Sequence, residues 1–150
     1  MDRRDELLRA EAEGWDDLTA LLAGATRERL RQPGLDAEGW SVTDVLWHLA
    51  YWCADADRAL GQMRDGVFDA SAEPEGSDRV DAINAAQLRR SQAMAFEEAR
   101  ARLHRARAGM LERVGELPEL SAEADEWLEE SGPLHYAEHL PALRAWLAGA

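Results

Sequence analysis

The chain has 150 residues, with 17 basic residues that are all arginine and 30 acidic residues, which give a net charge of −13. This charge opposes binding to phosphate backbones and anionic lipid, so we expect no nucleic-acid or membrane partner. The length fits one domain over residues 1–150, and an excess of helix-favouring residues predicts an all-α fold. One cysteine, no signal-peptide pattern and no long apolar stretch lead us to expect a cytoplasmic protein.

Two helices are predicted in the first half of the chain. Residues 3–23 have apolar side chains at steps of three or four, as an amphipathic helix does. Thr26 then caps a short turn, and Pro33 and Gly34 break the chain. The second helix begins near Val42 and runs to about Met63, because the preceding Ser and the Asp three residues later have the spacing of a capping box.

The second half is predicted to supply two more helices after a long loop. The segment 61–78 is rich in Gly and Pro and has no period, whereas residues from 78 to about 117 read as one long helix with a kink at Ser91. A polar acidic link follows, and the last helix starts at Pro133 and is bent by Pro141. These elements predict a four-helix bundle with a long crossover between helices 2 and 3.

Three of the four histidines are candidate metal ligands. His135 and His139 are four residues apart on the last helix, so both imidazoles can point at one ion. His48, in the middle of the second helix, is the candidate third ligand, which would leave a coordination position open for water or substrate. The alternative is that these histidines only pack in the core. His104 lies within the Arg-rich stretch LHRARAG and is expected to be solvated.

The segment HYAEH also matches the H-x-x-E-H pattern of inverted zinc peptidases, in which the glutamate is the general base. Only eleven residues follow His139, which leaves no place for a distant downstream ligand, so we do not favour a peptidase. Glu138 remains a candidate catalytic base or a partner of a ligand, with an exposed role on the outer helix face as the alternative.

Other side chains near the histidines in the sequence are weaker candidates for a role in the site. Asp44 and Asp55 can orient an imidazole, although the capping box already explains Asp44. Cys53 points about 140° away from His48 around the helix, so we expect a packed thiol and not a fourth ligand. The tryptophans at positions 47, 52 and 146 can line a substrate pocket or belong to the core.

The motif GWSVTDVLWHL, the long loop before VDAINAAQ and the closing HYAEHLPALRAWL together resemble the DinB-like four-helix-bundle superfamily. The similarity covers essentially the whole chain and is close to the N-terminal domain of mycothiol-dependent maleylpyruvate isomerases. In such proteins one histidine of the second helix and a His-x-x-x-His pair on the last helix hold a divalent metal. The resemblance therefore implies a metal site at His48, His135 and His139, with zinc or nickel the commonest ions.

The resemblance also implies a small-molecule substrate and transfer or isomerisation chemistry with a low-molecular-weight thiol such as mycothiol. The isomerases have a further C-terminal domain and this sequence ends at Ala150, so we do not expect that particular reaction. A non-catalytic bundle that binds a metal or a small ligand is the competing interpretation. A homodimer that covers a leftover apolar helix face is compatible with either.

Overall fold

The computed structural model describes residues 1–149, and in that range it contains seven α-helices, one 3-10 turn at Ala70–Ala72 and no β-strand. The helices are α1 (Arg3–Ala23), α2 (Arg27–Arg31), α3 (Val42–Arg64), α4 (Ser77–Ser91), α5 (Phe96–Glu116), α6 (Ala122–Ser131) and α7 (Pro133–Ala148). The predicted all-α class is confirmed, but the helices number seven and not four. None of the described helices is both long and apolar enough to cross a membrane.

Helix α3 lies at the centre of the fold. All residues from 42 to 50 are buried, and the helix packs mainly against α5 while also contacting α2, α4, α6 and α7. Its start is fixed as predicted: the Ser41 hydroxyl accepts the Asp44 backbone N–H, and the Asp44 carboxylate accepts the Ser41 backbone N–H. The capping box therefore sets the register that turns His48 towards the interior.

The predicted long third helix is in fact two helices, α4 and α5, separated by residues 92–95. The break lies beside Ser91, where a kink was expected. The buried Ser91 hydroxyl donates to the Asp44 carboxylate at 2.6 Å and lies 3.0 Å from the Leu88 carbonyl oxygen, and Ala95 has an extended backbone. A side chain that bonds to its own preceding turn and to another helix favours a helix end over continuation.

The acidic segment predicted as a link contains helix α6. Ser121 caps it by accepting the Ala124 backbone N–H, and Ala124 and Leu128 form a buried stripe at i and i+4. Acidic residues in the first turn suit the positive end of the helix dipole, and Arg3 donates to Asp125 at 2.7 Å. The segment is mostly charged, so its short apolar stripe was not recognised from the sequence.

Two glycines allow α7 to approach the rest of the molecule closely. Gly132 joins α6 to α7, and a Cβ at this position would lie 3.0 Å from the Leu128 carbonyl oxygen and 3.2 Å from Glu11. A Cβ at Gly14 of α1 would lie 3.0 Å from the Tyr136 ring. Larger residues would push α7 outward, so these glycines help to place its histidines against α3.

Candidate metal centre

The structure brings His48, His135 and His139 into one cluster, as predicted. The Nε2 atoms of His48 and His135 lie 2.8 Å apart although 87 residues separate them in the chain. The ring centroid of His139 lies 5.0 Å from that of His48 and 4.9 Å from that of His135. Each of the three offers a ring nitrogen, and these nitrogens all lie within 4.8 Å of one another, so the cluster can hold a metal ion.

Burial keeps the three imidazoles neutral. His48 and His135 are only 9% and 8% exposed, and removal from water lowers the pKa of His48 to about 4 and that of His135 to about 2. The neighbouring imidazoles lower both pKa values further, because one positive ring disfavours a second. Burial also lowers the pKa of His139. Neutral imidazole is the form that donates a lone pair to a metal.

The residues present fit a divalent metal, and one histidine nitrogen atom that lacks a partner is the main reason. His139 Nε2 is buried and has no hydrogen-bond partner within residues 1–149. Leaving a polar atom buried without a partner costs about 1–3 kcal/mol, so such atoms generally have a further role. Three imidazole nitrogens are the donor set of open catalytic zinc sites, and nickel also accepts this set.

Trp40 covers one side of the cluster and was not among the site residues predicted from the sequence. Its ring meets the His48 ring edge to face, with centroids 5.2 Å apart. The loop before α3 fixes it in place: the Trp40 backbone N–H donates to Asp36 at 3.0 Å, and its carbonyl accepts from Gly34 and Leu35. The buried indole Nε1 has no partner in the described structure. No spacing pattern could have linked a tryptophan eight residues away to this histidine.

A cavity of about 680 Å³ reaches the cluster from the surface. It lies between α3, α4, α6 and α7, beneath the segment that includes the 3-10 turn, and both His48 and His135 line it. Trp52 and Trp127 provide apolar wall area. The volume falls in the range that holds small organic ligands. His48 and His135 are therefore accessible to a small molecule through this cavity.

The other predicted site residues take different positions. Glu138 is exposed and lines this cavity, which keeps it available as a base at the rim. The Asp44 carboxylate accepts hydrogen bonds from the hydroxyls of Ser41 and Ser91, and the Asp55 carboxylate accepts from Arg58 at 2.9 Å. Neither carboxylate hydrogen-bonds to a histidine within residues 1–149, so an imidazole-orienting role is not supported for them.

The remaining residues considered from the sequence differ in whether they line the cavity. Cys53 is fully buried, donates to the Ser131 carbonyl at 3.7 Å and lies outside the histidine cluster, as expected. Trp52 lines the cavity, but Trp47 donates to Gln87 and Trp146 lies beneath the Arg29 guanidinium, 3.6 Å away. His104 is exposed, as expected.

A second buried polar group includes Tyr136, the residue that follows His135, and was missed from the sequence. Glu11 of α1 is 1% exposed and accepts from Arg107 at 2.6 and 2.9 Å and from the Tyr136 hydroxyl at 2.9 Å. All its carboxylate oxygens are thus satisfied by protein groups. Glu11 shares the buried face of Leu7, Trp15 and Leu18, but a glutamate at such a position gives no sign of its partners 96 and 125 residues away.

Comparison with protein families identifies the relationship. A model of the mycothiol maleylpyruvate isomerase N-terminal domain family matches residues 12–148. The chain belongs to this family, which is DinB-like. Searches of curated proteins and of solved structures found no significant match.

Membership in the mycothiol maleylpyruvate isomerase N-terminal domain family confirms the resemblance found in the sequence. The match runs from within α1 to the last residue of α7 and includes all three histidines of the cluster. It relates the chain to mycothiol-associated proteins and implies a small-molecule substrate. The family match concerns the sequence of residues 12–148, and the histidine cluster adds the geometry of three side chains within that range.

Proposed function

We propose that the protein binds one divalent transition metal, zinc or nickel, through His48, His135 and His139, and uses it for thiol transfer or isomerisation with a mycothiol-type cosubstrate. The observation that carries the proposal is the cluster of three imidazoles, of which His48 and His135 are buried and line an open cavity and His139 is half-buried. A protein-only role leaves the His139 Nε2 atom without a partner, whereas a metal would satisfy it.

The proposed architecture is one DinB-like domain in which α1, α3, α5 and α7 form the four-helix bundle. In this interpretation α3 is the second bundle helix and α5 the third, and the crossover consists of the segment 65–76 together with α4. The bundle helices α3 and α7 contribute the three ligands. Thiol chemistry requires a reducing compartment, which agrees with the cytoplasmic location expected from the sequence.

The chemistry assigned to the site has few protein components. A bound divalent ion supplies positive charge that lowers the pKa of a thiol entering the open position. The three imidazoles remain uncharged and leave that positive charge undiminished. Trp40, packed against His48, restricts that ring, while the cavity holds the second substrate close by. Glu138 is the proposed proton acceptor at the rim.

Metal stoichiometry tests the proposal directly. The wild type and the variants His48→Ala and His139→Ala would be purified without chelator or nickel resin, soaked in zinc or nickel, desalted and analysed by plasma mass spectrometry. We expect about one metal per chain in the wild type and loss in both variants, as for a site with three protein ligands. His104→Ala is the matched control, because His104 is exposed and lies outside the cluster. Equal, near-zero metal in all four proteins would refute the metal site.

Ligand binding by the metal separates an enzyme from a non-catalytic metal protein. In cobalt-substituted protein, an added thiol that enters an open position changes the visible absorption spectrum, whereas a closed structural site does not respond. Glu138→Gln should keep the metal and lower thiol-dependent turnover about 10²–10⁴-fold, as for the loss of a general base. A variant with unchanged turnover would remove Glu138 from the mechanism while leaving the metal site intact.

A further inference from the structure

The cavity that leads to the histidine cluster has a strongly one-sided charge. Six carboxylates line it: Asp55, Glu73, Glu123, Glu126, Glu130 and Glu138. No arginine lines it, and the chain has no lysine. A cleft lined by one sign of charge concentrates ligands of the opposite sign and repels those of the same sign.

The arginine nearest to this wall leaves most of the negative charge uncompensated. Arg58 lines an adjoining cavity and donates to Asp55 and Glu73, each at 2.9 Å. The glutamates at positions 123, 126, 130 and 138 form no salt bridge within residues 1–149. Three of the four come from one helix, α6, and the fourth from α7 on the same cavity.

The apolar part of the cavity includes three aromatic side chains, which suit a cation. Phe68 and Trp127 meet edge to face with centroids 6.0 Å apart, and Trp52 is held by a hydrogen bond from its indole to Asn84 at 2.9 Å. The protein's own Arg58 already lies 5.9 Å from the Trp127 ring while bonded to two carboxylates. An aromatic face with nearby carboxylates is an arrangement that attracts ammonium and guanidinium groups.

We propose that the substrate admitted to the histidine cluster is a small, partly apolar molecule with an ammonium or guanidinium group, and that this cavity excludes dianionic substrates such as dicarboxylates. The proposal rests on the proposed function, because it assigns a substrate class to the same site. The cationic group lies among the carboxylates of α6 and the indole of Trp127, and the reactive end of the molecule faces His48 and His135.

The first test uses metal-free protein, so that its result does not depend on the metal. Benzylammonium, benzyl alcohol and benzoate are probes of similar size that carry positive, zero and negative charge. Binding is followed by NMR through the indole N–H signals of Trp52 and Trp127, assigned with Trp52→Phe and Trp127→Phe. The signal of Trp146, which stacks on Arg29 away from the cavity, is the internal control. We expect the cation to bind about 10-fold or more tightly than the anion at low salt, and the difference to shrink at high salt.

Paired charge variants distinguish the cavity from the overall charge of the protein. Glu126→Gln with Glu130→Gln neutralises two cavity carboxylates, and Glu13→Gln with Glu28→Gln removes the same charge from exposed sites outside the cavity. The first pair should reduce the cation preference several-fold, and the second should leave it nearly unchanged. Equal affinity for the three probes, tighter binding of benzoate, or equal effects of both pairs would overturn the proposal.

A second series examines the metal-loaded site with cysteamine, 2-mercaptoethanol and 3-mercaptopropionate as thiols added to cobalt-substituted protein. For each thiol, the affinity of the wild type is divided by the affinity of the Glu126→Gln, Glu130→Gln variant. This quotient removes the intrinsic differences between the thiols. We expect this quotient to be largest for cysteamine, the cationic thiol. Cation selectivity in metal-free protein together with no metal binding would refute the proposed function alone, whereas thiol binding without charge selectivity would refute this inference alone.

Discussion

Helix α7 contributes adjacent residues, His135 and Tyr136, to two buried polar clusters with opposite properties. Tyr136 belongs to the group with Glu11 and Arg107, in which every charged or polar side-chain group has a protein partner. His135 belongs to the histidine cluster, in which three neutral rings surround one point and the Nε2 of His139 has no partner in the described structure.

The difference between the clusters separates a structural role from a binding role. A buried charge is tolerated when its bonds are satisfied, and the Glu11 group meets that condition within the protein alone. The histidine cluster meets it only in part: the Nε2 atoms of His48 and His135 share one hydrogen bond at 2.8 Å, whereas the Nε2 of His139 has no partner in the described structure, and burial disfavours the charged forms of the rings. A buried polar cluster whose hydrogen bonds are all satisfied is therefore expected to stabilise the fold. A cluster that leaves a nitrogen atom without a partner is expected to bind a ligand.

The largest effect is expected from breaking the satisfied cluster. Glu11→Ala removes the acceptor of two arginine bonds and one tyrosine bond, so the free energy of unfolding should fall by about 3–5 kcal/mol in urea denaturation. The double variant Glu11→Leu, Arg107→Leu leaves no unpaired charge and should recover most of this loss. A small effect of Glu11→Ala would show that the group has no structural role.

The histidine cluster should respond to metal instead. Zinc at a free concentration 100 times its dissociation constant should raise the free energy of unfolding of the wild type by about 2.7 kcal/mol, because only the folded state assembles the site. His139→Ala should abolish this increase, whereas His104→Ala should keep it. Stabilisation of His139→Ala equal to that of the wild type would place the zinc elsewhere.

Tyr136 and His139, both on α7, give the sharpest contrast. In metal-free protein, Tyr136→Phe removes a hydrogen bond to a charged group and should lower the free energy of unfolding by about 1.5–3 kcal/mol. His139→Leu removes a buried Nε2 that has no protein partner and should change it by less than about 1 kcal/mol. Similar losses in both variants, measured by urea denaturation with chelator present, would contradict the division into a structural and a binding cluster.

The smallest effect concerns Cys53, which lies near Tyr136 and outside the metal cluster. Burial raises the pKa of the thiol from 9.0 to about 12. The unfolded chain releases the proton at lower pH than the folded protein, so stability is complete below pH 9 and is lost as the pH rises. Between pH 9 and 10 the free energy of unfolding should fall by up to about 1.4 kcal/mol per pH unit. Cys53→Ala should remove this slope, and an identical slope in the variant would assign it to other groups.

Local patterns were enough for much of the fold. The boundaries of α1 and α3 agree with prediction to within one residue at each end, because apolar periodicity and caps such as the Ser41–Asp44 box act between near neighbours. The same locality explains the errors. The break after Ser91 depends on a bond to Asp44, 47 residues earlier, and α6 depends on a stripe covered by other helices.

The sequence by itself determined the all-α class, the family and the pairing of His135 with His139, because helical spacing and characteristic motifs are properties of near neighbours. His48, 87 residues before His135, was grouped with them through the family resemblance. Only the tertiary structure decided what surrounds them: Trp40 against His48, the acidic aromatic cavity, and the Glu11 group behind Tyr136. Those contacts join residues from different helices, whose relative positions follow from packing of the whole core and not from any local pattern.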